Sequence, residues 1–221
     1  MNSLTGRTIE IRVGTTTSVQ DPADLSTNWF LPTRLISHHS PFLAAACNRD
    51  FKERHENLIE LPDDDPTVFA LFVEWLYYGD YAIEPLSLPS STGNNSVSID
   101  AECWVLGDKL LCTDFKTHAM GRLYKQHTAK IFSRSISTHD VQFACENSAK
   151  VSKLRELYVD LAATNFGNQD RVRGTVEEWD KLLSNQSDLR RLLLQSLRLD
   201  AAERNFVKSE EHYLEDSNAP L

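Results

Sequence analysis

The sequence predicts an α+β fold: a small sheet flanked by helices, followed by an all-helical C-terminal extension. Three observations carry this reading. The stretches with strand character all lie before Pro62. From Pro66 onward, apolar residues recur at spacings of three and four, the period of a helix with one buried face. The second half also carries leucine stripes and no further alternating segment.

Each element has a local cause. Arg7 to Gly14, RTIEIRVG, alternates polar and apolar residues, as a half-buried strand does, and Gly14 begins a turn. NWFL is a short second strand, stopped by Pro32, which cannot donate to a ladder. PTRLISHHSPFLAAACN is a helix broken near Ser40-Pro41, because proline suits the first position of a new helix. NLIEL, Asn57 to Leu61, is a third strand. A helix then starts at Asp65-Pro66, buries Phe69, Phe72 and Leu76, with Val68 and Trp75 beside them, and ends at Gly79. The Ser-, Pro- and Asn-rich stretch at about 81–98 is a mobile loop. IDAECWVLGDKLLC follows as a helix with Cys103, Leu106 and Leu110 on one stripe. The next runs from a Thr113 cap, with Phe115, Ala119 and Leu123 facing inward. Beyond it lie a short capped helix in STHDVQFACENSAK and an amphipathic one with Leu154, Leu157, Tyr158 and Leu161 on its stripe. GTVEEWDKLLSN and SDLRRLLLQSLRLDAAERNF close the fold, the latter with Leu189, Leu192, Leu193 and Leu197 on one face. The polar tail after Lys208 is expected to fray.

Composition removes several classes of function. A net charge of -9 argues against duplex nucleic acid, which needs a basic footprint. No apolar run approaches the ~20 residues of a bilayer span, and MNSLTGRTIEIRVG has no signal-peptide core. Cys47, Cys103, Cys112 and Cys145 are too scattered for a zinc pattern and fit reduced thiols, Cys47 in the core, in a cytoplasmic or nuclear protein.

The run Asp63-Asp64-Asp65 is the strongest candidate for chemistry. Directly before Pro66, one carboxylate serves better as an N-cap and its neighbours as a solvated turn favoured by the helix dipole. No other acidic or histidine cluster stands ready to complete a metal site. His38 and His39 are adjacent, about 100° apart on a helix, so the pair reads as one half-buried and one solvated side chain. Asp108-Lys109 reads as a surface ion pair or a cap for the next turn. No G-x-S-x-G elbow, phosphate loop, H-E-x-x-H or G-x-G-x-x-G is present, so the expectation is a non-enzymatic protein without cofactor, metal or catalytic residues.

Three stretches, HHSPFLAAACNRDFKE, LIELPDDDPTVFALFVEWLYYGDY and CWVLGDKLLCTDFKTHAM, taken with the order of elements, resemble the BTB/POZ family, most closely the short forms common in filamentous fungi. The likeness runs over about residues 7–128. It implies a BTB/POZ domain at 1–128, a helical extension at 129–207 and a flexible tail at 208–221. Two features depart from the family pattern. The first strand, TIEIRV, lacks the aspartate many members carry, and FLPTRL stands where Val-His-Lys is usual, so that polar pair is absent. The chain also starts close to its first strand, without the extra N-terminal helix that supports the intertwined dimer of zinc-finger relatives.

The family implies protein partners, with no nucleic acid and no membrane. One reading is a substrate adaptor of a cullin-type ubiquitin ligase. The alternative is a self-associating scaffold or transcription cofactor without ligase work. In the adaptor class a hydrophobic-x-Glu turn meets the cullin, and Phe51-Lys52-Glu53 fits it, so Phe51 and Glu53 are the expected partner-binding residues. Asp65, Pro66, Phe72 and Trp75 are expected to be structural.

Overall fold

The computed structural model describes residues 6–15, 27–48, 57–82, 97–129, 133–200 and 202–215. They form a mixed α+β structure with one three-stranded sheet and ten helices among the described residues. The chain divides into two compact units, one of residues 1–87 with 102–118, the other of 88–101 with 119–221. This places the division ten residues before the 128/129 boundary expected from sequence and assigns 88–101 to the second unit.

In the first unit, β1 (Thr8–Val13) lies between β2 (Thr27–Pro32) and β3 (Leu58–Leu61), antiparallel to the former and parallel to the latter. Ile9, Ile11 and Val13 are buried, and across the opposite face Arg12 bridges Glu10 at 3.7 Å and Glu60 at 3.0 Å. Pro32 does not stop β2 early; it is the last paired residue, opposite Thr8. β2 is an edge strand, where a missing N–H costs no ladder bond, and Thr33 N–H resumes the pattern by donating to Arg7 O at 2.9 Å.

The helix break is where the sequence places it, between α1 (Thr33–His39) and α2 (Pro41–Asn48). Ser40 fills it. Its fully buried hydroxyl donates to Leu110 O at 2.6 Å and accepts from Leu43 N–H at 3.0 Å. α3 (Pro66–Tyr78) buries Val68, Phe69, Phe72, Trp75 and Leu76, and ends at Gly79 in the left-handed region with φ 74°. Phe115 packs edge-on to Phe72 at 5.1 Å between ring centres and tilted on Trp75 at 5.3 Å, closing an aromatic core. Most of the expected loop, residues 83–96, falls outside the described residues.

α4 (Ile99–Lys109) and α5 (Thr113–Thr128) carry their expected stripes inward: Cys103, Leu106, Leu110, Phe115, Ala119 and Leu123 are all buried. The second unit continues with α6 (Thr138–Asn147), α7 (Lys153–Asn165), α8 (Val176–Asn185), α9 (Ser187–Ser196) and α10 (Glu210–Tyr213). Ser137 with Asp140, and Thr175 with Glu178, form capping boxes that start α6 and α8. Gly174 precedes the second box at φ 120°, and an added Cβ would lie 3.0 Å from Trp179 Nε1, which donates to Arg173 O.

The last long helix is shorter than its leucine pattern suggests. It ends at Ser196, whose hydroxyl donates back to Leu193 O, after which Arg198 and Leu199 donate three residues back in tight turns. Leu189 and Leu193 are buried, but Leu197 lies past the end and is exposed. In the tail expected at 208–221, Tyr213 is fully buried; residues 216–221 lie outside the described residues.

Candidate functional site

The acidic turn between β3 and α3 is where sequence reasoning looked for chemistry. β3 begins just after Asn57, which adopts φ 54° and is tied to β1. Arg7 donates to Asn57 Oδ1 through Nε at 3.0 Å and Nη2 at 2.8 Å, while Asn57 Nδ2 donates to Thr8 O at 3.1 Å. Phe51 and Glu53, the expected partner-binding residues, lie outside the described residues.

Two of the three aspartates of the run have distinct tasks. Asp65 Oδ1 accepts from Thr67 N–H at 2.6 Å and Val68 N–H at 3.4 Å, the geometry of an N-cap, with Pro66 at the first helical position. Asp64 is not simply solvated: Lys109 Nζ lies 2.6 Å from its Oδ2, and its side chain is only 11% exposed. Asp63 is exposed. Asp108 and Lys109 therefore do not pair with each other. Lys109 reaches the acidic turn, and Asp108 takes Lys116 at 2.7 Å. The two side chains are consecutive on one helix and diverge, so each meets a different neighbour. Lys116 also lies over the Trp104 ring at 4.5 Å.

The most perturbed group here is one the sequence reading did not single out. Burial, with the charge of Asp65 beside it, pushes the Glu102 carboxyl up to about 7. Sequence could have hinted at it only through its place in the apolar α4. Among the described residues, no group of three or more His, Cys, Asp or Glu could hold a metal ion. The arrangement offers a carboxyl whose pKa lies near neutrality and a capped helix.

Phe72 and Trp75 are core, the former fully buried. His38 is exposed and His39 half-buried, edge-on to Trp75 at 5.2 Å. Burial, then His38, lowers the His39 pKa. Cys103 and Cys112 are buried, whereas Cys47 and Cys145 are only partly so; all four are free thiols. Cys47 thus lies at the edge of the core, not inside it.

The apolar surface is more suggestive than the acidic turn. Trp29 turns to the core, its ring 4.9 Å from that of Phe69. Strand alternation sends its neighbour Phe30 to the other face, where it is 65% exposed opposite Glu10. Tyr78, on the last turn of α3, is 81% exposed. Applying the two-residue period to NWFL would have found Phe30; Tyr78 follows from its place off the buried stripe. Among the described residues, no helix is long and apolar enough to cross a membrane. The chain matches no family model and no curated protein.

Proposed function

We propose that the chain is a non-enzymatic protein–protein interaction module with the BTB/POZ arrangement, working as a substrate adaptor of a cullin-type ubiquitin ligase. The observation that supports it best is the order of elements from β1 to α5: two antiparallel strands, a helix pair broken at Ser40, a parallel third strand, an Asp65-capped helix and a further helix pair. That is the order the resemblance implies. The adaptor role rests on Phe51-Lys52-Glu53, an aromatic anchor with a charge two residues on to set register.

A second reading, a self-associating scaffold, is favoured by one feature: Phe30, a large exposed aromatic on edge strand β2. Mass in solution separates the two. The adaptor forms a complex with a cullin N-terminal domain in sedimentation velocity. The scaffold sediments as a dimer alone and ignores the cullin domain. A monomer that binds neither itself nor the cullin domain contradicts both.

A further inference from the structure

The C-terminal segment meets the rest of the second unit in an unusual way. Between residues 202 and 215 Tyr213 alone is fully buried, while Lys208, Ser209, Glu211 and His212 are exposed. A segment of the core would bury an apolar face. This one inserts one fully buried anchor, leaves Phe206, Val207 and Leu214 only half-buried, and holds the anchor with polar bonds.

The receiving surface is built for it. Asp160 and Glu156, four residues apart on α7, lie on one face of that helix. Asp160 Oδ2 accepts from the Tyr213 hydroxyl at 2.7 Å and from Lys208 Nζ at 2.8 Å. Glu156 Oε1 lies 2.7 Å from Lys208 Nζ and 2.8 Å from His212 Nε2. From α5, Tyr124 donates to Lys208 O at 2.9 Å and sets its ring 5.9 Å from that of Tyr213. Further along, Phe206 N–H donates to Thr164 Oγ1 at 3.0 Å. Gly121 on α5 leaves the space that Glu210 enters, since an added Cβ would lie 3.0 Å from Glu210 Oε1. Lys125 adds an ion pair to Glu210 at 3.5 Å. The segment also shapes itself: Lys208 N–H donates to the Tyr213 hydroxyl at 3.0 Å, so the lysine and tyrosine present together.

We infer that the surface formed by Tyr124, Glu156, Asp160 and Gly121 is a peptide-docking site for a segment with a lysine followed five residues later by a tyrosine, which the chain's own 206–213 segment occupies in cis. A buried aromatic anchor ringed by charge-assisted bonds is the pattern of a bound peptide. Covalent tethering makes the cis segment a strong competitor, because its effective concentration reaches about millimolar for a short connection. The site is therefore closed until the segment is released. A released site takes the same segment from a second copy.

The test uses the full chain and a fluorescent peptide of residues 204–215. The parent, with its site filled, binds the peptide about ten-fold or more weakly than a Tyr213→Ala chain, whose own anchor is gone. Adding Glu156→Gln to the Tyr213→Ala chain weakens the peptide again, and a peptide carrying Tyr213→Ala does not bind. Equal binding by parent and Tyr213→Ala chains, or binding by neither, overturns the proposal. So does a Tyr213→Ala chain that loses its helical circular dichroism, since the segment would then be core and not a ligand.

Discussion

The two compact units solve the same problem with different materials. The first fully buries no charged side chain among its described residues, although Glu102 is half-buried; Ser40 is its one fully buried hydroxyl outside aromatic rings, and Phe69, Phe72, Trp75, Trp104 and Phe115 fill the interior. Its ion pairs, such as Asp64 with Lys109, are at least partly open to solvent. The second unit buries Asp100, His127, Asp140, Arg155 and Asp160. Each has a partner: Arg122 for Asp100, the Arg134 carbonyl for one ring nitrogen of His127, Arg134 for Asp140, Asp188 for Arg155, and Lys208 with Tyr213 for Asp160. Where apolar area does the work, a substitution acts by leaving a cavity. Where charges are buried, it acts by unpairing them, and pH becomes a lever.

The largest effect should come from the aromatic core. Trp75→Ala removes a ring packed on Phe72, Phe115 and His39, and should cost about 3–5 kcal/mol in chemical denaturation. A cooperative transition near the parent's would show that α3 is peripheral.

The units should also respond to pH with opposite signs. His127 is buried in the second unit, and burial lowers its pKa to about 4, against Asp140 and the Arg134 carbonyl, which raise it, while Arg134 and Arg171 lower it further. Between about 6.5 and 4 the unfolded chain takes up a proton that the folded unit refuses, so stability falls as pH falls. Glu156 extends the same trend. Burial raises its pKa, but the hydrogen bonds and charge of Lys208, the His212 bond and Lys153 outweigh that and hold it at about 2, so its contribution is lost below about 4.5. Glu102 in the first unit behaves inversely. Its folded carboxyl keeps a proton up to about 7 while the unfolded one loses it near 4.5, so stability falls as pH rises. Pulse proteolysis in urea, reading which fragments survive between pH 5 and 8, should show the second unit weakening toward acid and the first toward base. Glu102→Gln should flatten the first trend. Parallel trends would remove the contrast.

Smaller effects sharpen it. Asp65→Ala should cost about 0.5–2 kcal/mol through loss of the cap, and divalent metal should leave the melting temperature unchanged in both parent and mutant. Lys109→Ala should cost at most about 1 kcal/mol, since the Lys109 side chain is 41% exposed, and added salt should shrink the difference.

What was legible in the sequence follows from range. The alternation of β1, the Asp65-Pro66 start, the Gly79 end and the Phe69, Phe72 and Leu76 stripe depend on neighbours within a few residues, and the sequence carries them in full. The cap reading of Asp65 is a local matter and needs no tertiary information. The Asp64–Lys109 pair spans 45 residues, and the Tyr213–Asp160 bond spans 53; no periodicity marks either. A four-residue helix such as α10 is too short to display an amphipathic pattern, so its polar composition read as a frayed tail. The over-long α9 failed for a different reason: its leucines keep their spacing past Ser196, but the backbone tightens there.

The adaptor reading turns on a short stretch, Phe51-Lys52-Glu53, and calorimetric titration against a cullin N-terminal domain tests it most directly. The account predicts that the parent binds and that Phe51→Ala abolishes binding, a loss of about 2 kcal/mol or more, with circular dichroism and melting temperature nearly unchanged. No binding by the parent at high micromolar concentration, or equal binding by Phe51→Ala, would contradict it.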